Sequence, residues 1–360
     1  MLLEKPVEPD FNAFRDNILR KGTPKRVHFA ELFLDGEIRN AIAARYGIGA
    51  RLDKADPFHA LRFEMEIQRF LGYDTVRGVV GTTGFPRPTM PSPDTTDITG
   101  QKRAQRNWTD EHSGPVTSWE TFEKYPWPDP AKLDLRQLEW WNKNLDPRMG
   151  VVVGCHQIFE QVTWLMGYET LCLKLYDDPA LVDAMFERIG KFFVVVAEAA
   201  CQFSCVKALF GGDDMGYKTQ LMVPPDVLIK KSFPWHRRIS EIAHRHGKLN
   251  ILHACGNLEA VMEHIIDYCR YDGKHSFEDV IQPVTETKRK WGGRIALLGG
   301  IDVDFLARST EPQIRRRVRE TLDVCQPGGG YALGSGNSVA NYVPVDHYLA
   351  MLDEGRRWGR

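Results

Sequence analysis

His253 and Cys255, in the run ILHACGN, stand two residues apart, so on an extended strand both side chains leave from the same side. Imidazole and thiolate are both donors that Zn²⁺ accepts; Gly256 lets the chain turn straight afterwards, and Asn257 can cap the next helix. H-x-C alone is equally compatible with a hydrogen-bonded structural histidine beside a buried cysteine. Glu278 is the third candidate metal ligand, since its strand should neighbour that of His253 and a carboxylate completes an N, S, O set. A salt bridge to a nearby Lys or Arg is its alternative, and His275 competes as ligand from the same strand. Asp213-Asp214, in FGGDDMG, is a paired-carboxylate signal. Adjacent strand residues point different ways, so one of the two is expected to face a pocket as acid, base or orienting group, and the other to cap a loop.

Groups this far apart in sequence meet only if a regular scaffold gathers them. Short β-rich runs occur at Arg26–Phe33, Asp74–Val80, Met149–His156, Val206–Asp214, Lys248–Cys255, Asp272–Glu278, Arg294–Asp302 and Gly330–Asn337. Most are continuous and apolar, as parallel strands covered on both faces are. Segments of helical spacing separate them, among them Leu165 to Tyr176, Asp178 to Phe203, Pro225 to His246, Leu258 to Tyr268, Glu311 to Cys325 and Val345 to Trp358. Eight strand-then-helix repeats predict an α/β fold, a single (β/α)8 TIM barrel over residues 1–360; no G-x-G-x-x-G follows the first strand to favour a doubly wound sheet.

In a barrel the C-terminal strand ends carry the chemistry. Those ends supply Glu31, Arg77, Cys155, His156, Asp213, Asp214, His253, Cys255, His275, Glu278, Asp302, Ser335 and Asn337. So many ionisable groups make a poor core, because unpaired buried charge is costly. Asp213 and Asp214 are the catalytic candidates. Glu31, Arg77, His156, Tyr217, His275, Ser335 and Asn337 are the substrate-binding candidates. Cys325 precedes PGGGY and enters its strand from the opposite end, while Cys201, Cys205 and Cys269 read as core. Residues 82–146, rich in Pro and Thr and then in Trp (108, 119, 127, 140 and 141), form an insertion between strands two and three, placed by topology on the catalytic face as a lid or partner surface.

Composition narrows the classes further. The 360 residues are 42% hydrophobic and 26% charged with a net charge of −1, so no bulk field draws the chain to nucleic acid or to membrane lipids. The densest basic run, Arg315-Arg316-Arg317 with Arg319, is expected to be a solvated helix face. No stretch has the roughly 18 apolar residues of a membrane span. The opening MLLEKPVEPDF lacks a signal-peptide pattern, and seven cysteines are too few for a disulfide scaffold, so the expectation is a cytoplasmic chain with reduced thiols.

Four segments, FGGDDMGYKTQLMVPP, HGKLNILHACGNLEAVMEHIIDYC, RIALLGGIDVDFLARSTEPQIRRRVRETLD and PGGGYALGSGNSVANYVPVDHYLAML, together resemble the uroporphyrinogen decarboxylase superfamily, and GTPKRVHFAELF fits its first strand. The resemblance implies a TIM barrel. Its decarboxylases carry an Arg-x-x-Gly-Arg-Tyr stretch after the first strand to hold the substrate's carboxylates, whereas here FAELFLDGEIRNA offers only Arg39. Its zinc-dependent methyltransferases carry His-x-Cys at the fifth strand, an acid at the sixth and a Cys at the eighth. His253, Cys255 and Glu278 fit the first three positions, and Ser335 stands where the last would lie.

The resemblance therefore implies a zinc enzyme moving a methyl group between a small compound and a corrinoid (cobalamin) protein, with the metal as Lewis acid. A metal-independent carboxy-lyase keeping Asp213, Asp214 and Tyr217 is the alternative, and a non-catalytic ligand-binding barrel is a third.

Overall fold

Alternating side-chain direction along short apolar strands forces each strand to bury both faces, and the architecture follows from that demand. The computed structural model describes residues 3, 6–81, 84–92 and 106–358. Its strands are β1 (Thr75–Gly78), β2 (Thr89–Ser92), β3 (Arg106–Thr109), β4 (Gly150–Val153), β5 (Val206–Gly212), β6 (Leu249–His253), β7 (Gly273–His275), β8 (Ala296–Leu298) and β9 (Tyr331–Ala332). β2 and β3 form an antiparallel hairpin; the other seven make one parallel sheet in the order β1-β4-β5-β6-β7-β8-β9. Neighbours follow chain order with no reversal, the order of a curling (β/α) barrel sheet rather than of a doubly wound one.

The predicted first strand is the exception. Arg26–Phe33 contributes a single parallel bridge, Phe29 to Leu333, with Ala30 N donating to Leu333 O at 2.9 Å and Leu333 N to His28 O at 2.8 Å. Among the described residues no backbone hydrogen bond joins this segment to β1. Side chains span the seam instead. Arg77 Nε donates to the Leu32 carbonyl, and the buried Asp74 carboxylate binds His28 Nδ1 at 2.7 Å together with the Arg26 guanidinium. A side cavity of about 420 Å³ opens there, bounded by Glu31, Leu32, Thr75, Arg77 and Phe210. The sheet thus has seven hydrogen-bonded strands and one extended stave where eight strands were expected.

Parity sorts the core into two layers. Ala30, Val152, Ala208, Phe210, Leu249, Ile251, Ala296, Leu298 and Ala332 fill the inside of the curl, and Phe11, Phe14 and Ile18 of the helix Phe11–Ile18 plug its N-terminal end. Val76, Val151, Val153, Leu209, Leu252, Leu297 and Tyr331 face the surrounding helices. The longest of these, Pro179–Cys201, starts where Asp178 accepts from Leu181 N with Pro179 in the first turn, both strong start signals.

The basic run on helix Glu311–Cys325 differs from its expected solvated face. Arg315 pairs with Glu311, Asp353 and Glu354, and Arg319 with Glu354, fastening that helix to Val345–Arg357. The insertion is also shorter than 82–146. Gly81 N donates to Asp134 O at 2.8 Å and Asp134 N to Gly81 O at 3.2 Å, closing its neck, and helix Arg136–Asn144 then buries Trp140 and Trp141 in the outer core. No helix among the described residues is long and apolar enough to cross a membrane.

Candidate metal centre and its cavity

The inward side of β6, set by Leu249 and Ile251, continues to His253 and then Cys255; that of β5, set by Ala208 and Phe210, continues to Asp214. Two glycines bring the following loops together. Gly256 has φ +83°, and a Cβ there would lie 2.1 Å from the Gly216 carbonyl carbon, so neither a left-handed turn nor this approach tolerates a side chain. Asn257 N donates to Tyr217 O at 2.7 Å across the junction, and Asp214 Oδ1 accepts from Cys255 N at 2.8 Å.

The result is a three-donor cluster. His253 Nε2 lies 3.7 Å from Asp214 Oδ1 and 3.5 Å from Cys255 Sγ, and one ligand atom from each of the three lies within 4.8 Å of the others. Zn–N, Zn–O and Zn–S bonds at a tetrahedral angle put donor atoms about 3.4–3.6 Å apart, so the two spacings from His253 Nε2 are close to those around one Zn²⁺. Glu278, the expected third ligand, is outside this cluster; half-buried, it lines the same cavity, its carboxyl raised by burial and by Asp302 and Asp214.

The neighbours prepare the donors. His253 Nδ1 meets His275 Nδ1 at 2.8 Å, so one ring must donate and the other accept. With the proton on His253 Nδ1, its Nε2 lone pair faces Asp214 and Cys255, the tautomer a metal requires. Burial keeps both imidazoles well below their usual basicity and hence neutral. Cys255 Sγ receives Asn337 Nδ2 at 3.3 Å and Ser276 Oγ at 3.6 Å. Burial, reinforced by Asp214, pushes its thiol up to about 12, and a bound dication is the natural means of making the thiolate. Ser276 holds φ +85°, strain retained where Lys274 Nζ donates to its carbonyl at 2.7 Å.

A cavity of about 1250 Å³ opens over this centre, lined by Arg77, Glu160, Asp214, Glu278 and Asn337, with Trp108 of β3 on its lip.

Several expected site residues lie elsewhere. Asp213 is on the opposite parity and fully buried; it accepts from Phe159 N at 3.1 Å and Glu160 N at 2.7 Å, capping helix Phe159–Met166, and binds His236 Nε2 at 2.9 Å. His156 also faces the helix layer, against Asn250 and Tyr271. Ser335 is buried with both N and Oγ donating to Glu31, so Asn337, two residues on, occupies the place beside the thiol. Glu31 is spent on that loop and lines the side cavity. His275 lies beneath His253, and Tyr217 sits outside the cavity, edge-on to Tyr168. Arg77 and Asn337 are the two binding candidates that line the main cavity.

Glu160 was missed. It stands in the first turn of a helix that follows a strand end, and burial with Asp214 and Asp213 nearby raises its carboxyl well above the usual range. Lys274 was also missed, although a lysine inside a short strand is itself a signal; burial lowers its ammonium to about 8.

The sequence profile of the family described as uroporphyrinogen decarboxylase (URO-D) matches residues 111–358, more than half of the chain. Uroporphyrinogen decarboxylases of Cupriavidus necator and Cupriavidus pinatubonensis are 34% and 31% identical over 80 residues, a stretch that is 21% of this chain and 22% of each relative's length. A solved methyltransferase from Methanosarcina mazei shares the fold, with TM-score 0.67 at 15% identity over 97% of this chain and 98% of its own.

Proposed function

Because this chain belongs to the uroporphyrinogen decarboxylase family, we propose that it is a zinc-dependent methyltransferase of that family, moving a methyl group between a small methylated compound and a corrinoid protein. The observation that carries the reading is the Asp214–His253–Cys255 cluster, in which the spacings from His253 Nε2 to the other two donors are close to those of tetrahedral zinc. His253, Cys255 and Asp214 would hold the ion, with Glu278 at hand in the same cavity. When bound, it supplies Lewis acidity to the heteroatom that gives up or receives the methyl group.

The protein's own groups do the rest. His275 fixes the His253 tautomer, and Asn337 and Ser276 orient the sulfur. Glu160, kept neutral by burial and by the nearby Asp214 and Asp213, is a proton donor facing the cavity. The insertion's lip, with Trp108 54% exposed, offers the face against which a corrinoid domain would dock. The name of the solved protein sharing the fold agrees with this reading, in which the stave Arg26–Phe33 completes an eight-membered barrel. The polycarboxylate clamp of a decarboxylase lacks a counterpart, since Arg39 is already paired with Glu64 at 2.7 Å. A metal-independent carboxy-lyase remains the second reading, favoured by the names of the two Cupriavidus relatives.

The test is the zinc content of freshly purified wild type and Cys255→Ala, with both assayed for transfer of methyl groups from methylated aromatics, amines or thiols to reduced cobalamin by the cobalt absorbance change. One zinc per chain, lost with Cys255, and Cys255-dependent transfer are expected. Release of carbon dioxide from uroporphyrinogen, indifferent to Cys255→Ala, would overturn the proposal.

A further inference from the structure

Arg77 is a cation without a counter-ion. It projects from the inward face of β1, its guanidinium carbon 5.1 Å from the centre of the Phe210 ring. Nε donates to the Leu32 carbonyl, but Nη2 is sealed from solvent with no acceptor, and among the described residues no carboxylate lies within ion-pair distance. The acid whose charge it feels, Glu64, already binds Arg39 at 2.7 Å and Gln68 at 2.8 Å. Arg77 as a whole is only partly buried and lines the cavity, so its guanidinium, having no carboxylate partner, keeps charged donor capacity that an anionic ligand can fill.

Three of the acids lining the main cavity are engaged elsewhere, and none of the six is ion-paired with Arg77 among the described residues. Asp279 pairs with Arg317 at 2.8 Å, Asp304 with Arg308 at 2.6 Å, and Asp302 caps the helix Val303–Arg308. Leu32 and Phe33 flank Arg77 as apolar walls shared by the main and side cavities, and Phe210 adds a third on the side-cavity face. Arg77 lines the same main cavity as Asp214, His253 and Cys255.

From this geometry we infer that the small-molecule substrate is a monocarboxylate with an apolar body, its carboxylate on Arg77 and its methyl-bearing heteroatom toward Asp214, His253 and Cys255. The inference deepens the proposed function and rests on it for the second half only. Anion binding at Arg77 requires neither zinc nor turnover.

The probe is therefore benzoate, compared with its neutral isostere benzamide, titrated calorimetrically into chelator-treated wild type, Arg77→Gln and Arg77→Lys. A charge-assisted pair is worth about 1.5–3 kcal/mol, or a tenfold to hundredfold preference, so wild type should bind benzoate at least about tenfold more tightly than benzamide. Arg77→Gln should erase the preference without weakening benzamide, and Arg77→Lys, which keeps the charge without the fork, should retain part of it. Equal affinities in wild type, no benzoate binding, or a preference that survives in Arg77→Gln would each overturn the inference. Absence of zinc or of methyl transfer would sink the proposed function while leaving the benzoate preference intact.

Discussion

Glu31→Gln should stabilise the protein at alkaline pH and leave it nearly unchanged near pH 5. The Glu31 carboxylate accepts from Ser335 N at 2.7 Å and from Ser335 Oγ, and it has no cationic partner among the described residues. Burial raises its pKa to about 8, against the pull of those two hydrogen bonds. An unfolded glutamate titrates near ~4.3. Between the two values the folded chain holds a proton that the unfolded chain has lost, so this contribution is complete below ~4.3 and disappears as pH rises through about 8. The slope reaches at most about 1.4 kcal/mol per pH unit. Multiplied over the whole window that would be about 5 kcal/mol, but the side cavity beside Glu31 admits solvent, and we expect about 2 kcal/mol between pH 5 and 9. Glutamine reproduces the protonated form, accepting from Ser335 N and donating to Oγ. Urea unfolding of both proteins, followed by tryptophan fluorescence from pH 5 to 9, isolates the effect, because other titrations cancel in the difference. A difference that does not grow with pH, or a glutamine variant less stable at pH 9, would refute the reasoning.

Asp213→Ala should cost about 3–5 kcal/mol in urea unfolding, because Phe159 N, Glu160 N and His236 lose their acceptor together; a loss under about 1 kcal/mol would restore Asp213 as a candidate catalytic group rather than a structural one. Asp214→Ala should weaken zinc binding, measured by competition with a chelating dye, at least about tenfold, and Glu278→Ala much less. The reverse order would return Glu278 to the ligand set.

The parts of the site legible in the sequence are those governed by strand parity. His253 with Cys255, and the division of labour between Asp213 and Asp214, follow from period-two alternation and hold in the structure. The third donor was misplaced because it depends on the back-to-back approach of Gly216 and Gly256, a contact between two loops that no local pattern announces. His156 and Ser335 were misassigned for a related reason. Parity carries Asp213, Asp214 and Cys255 one or two residues past their strand ends, but three residues on, at His156 and Ser335, the chain has bent, and a polar residue there can serve the helix layer or a loop. Glu160 was missed because it lies one turn into the following helix. The fold's strand order was legible from alternation, whereas the missing ladder along Arg26–Phe33 was not: side chains of Arg77 and Asp74 take over what backbone groups would do.

That unladdered seam makes the curled sheet mechanically uneven. Six strand interfaces are held by rows of backbone hydrogen bonds that open only together, while the stave Arg26–Phe33 meets β1 through individual side chains. Local opening will concentrate there, as in any region poor in backbone pairing. Arg77 is one of those fasteners and also the cation awaiting an anion. An anion bound on Arg77 as inferred would slow amide exchange along the stave by the same free energy with which it binds, so that the curled sheet would act as a clasp whose tightness reports its cargo.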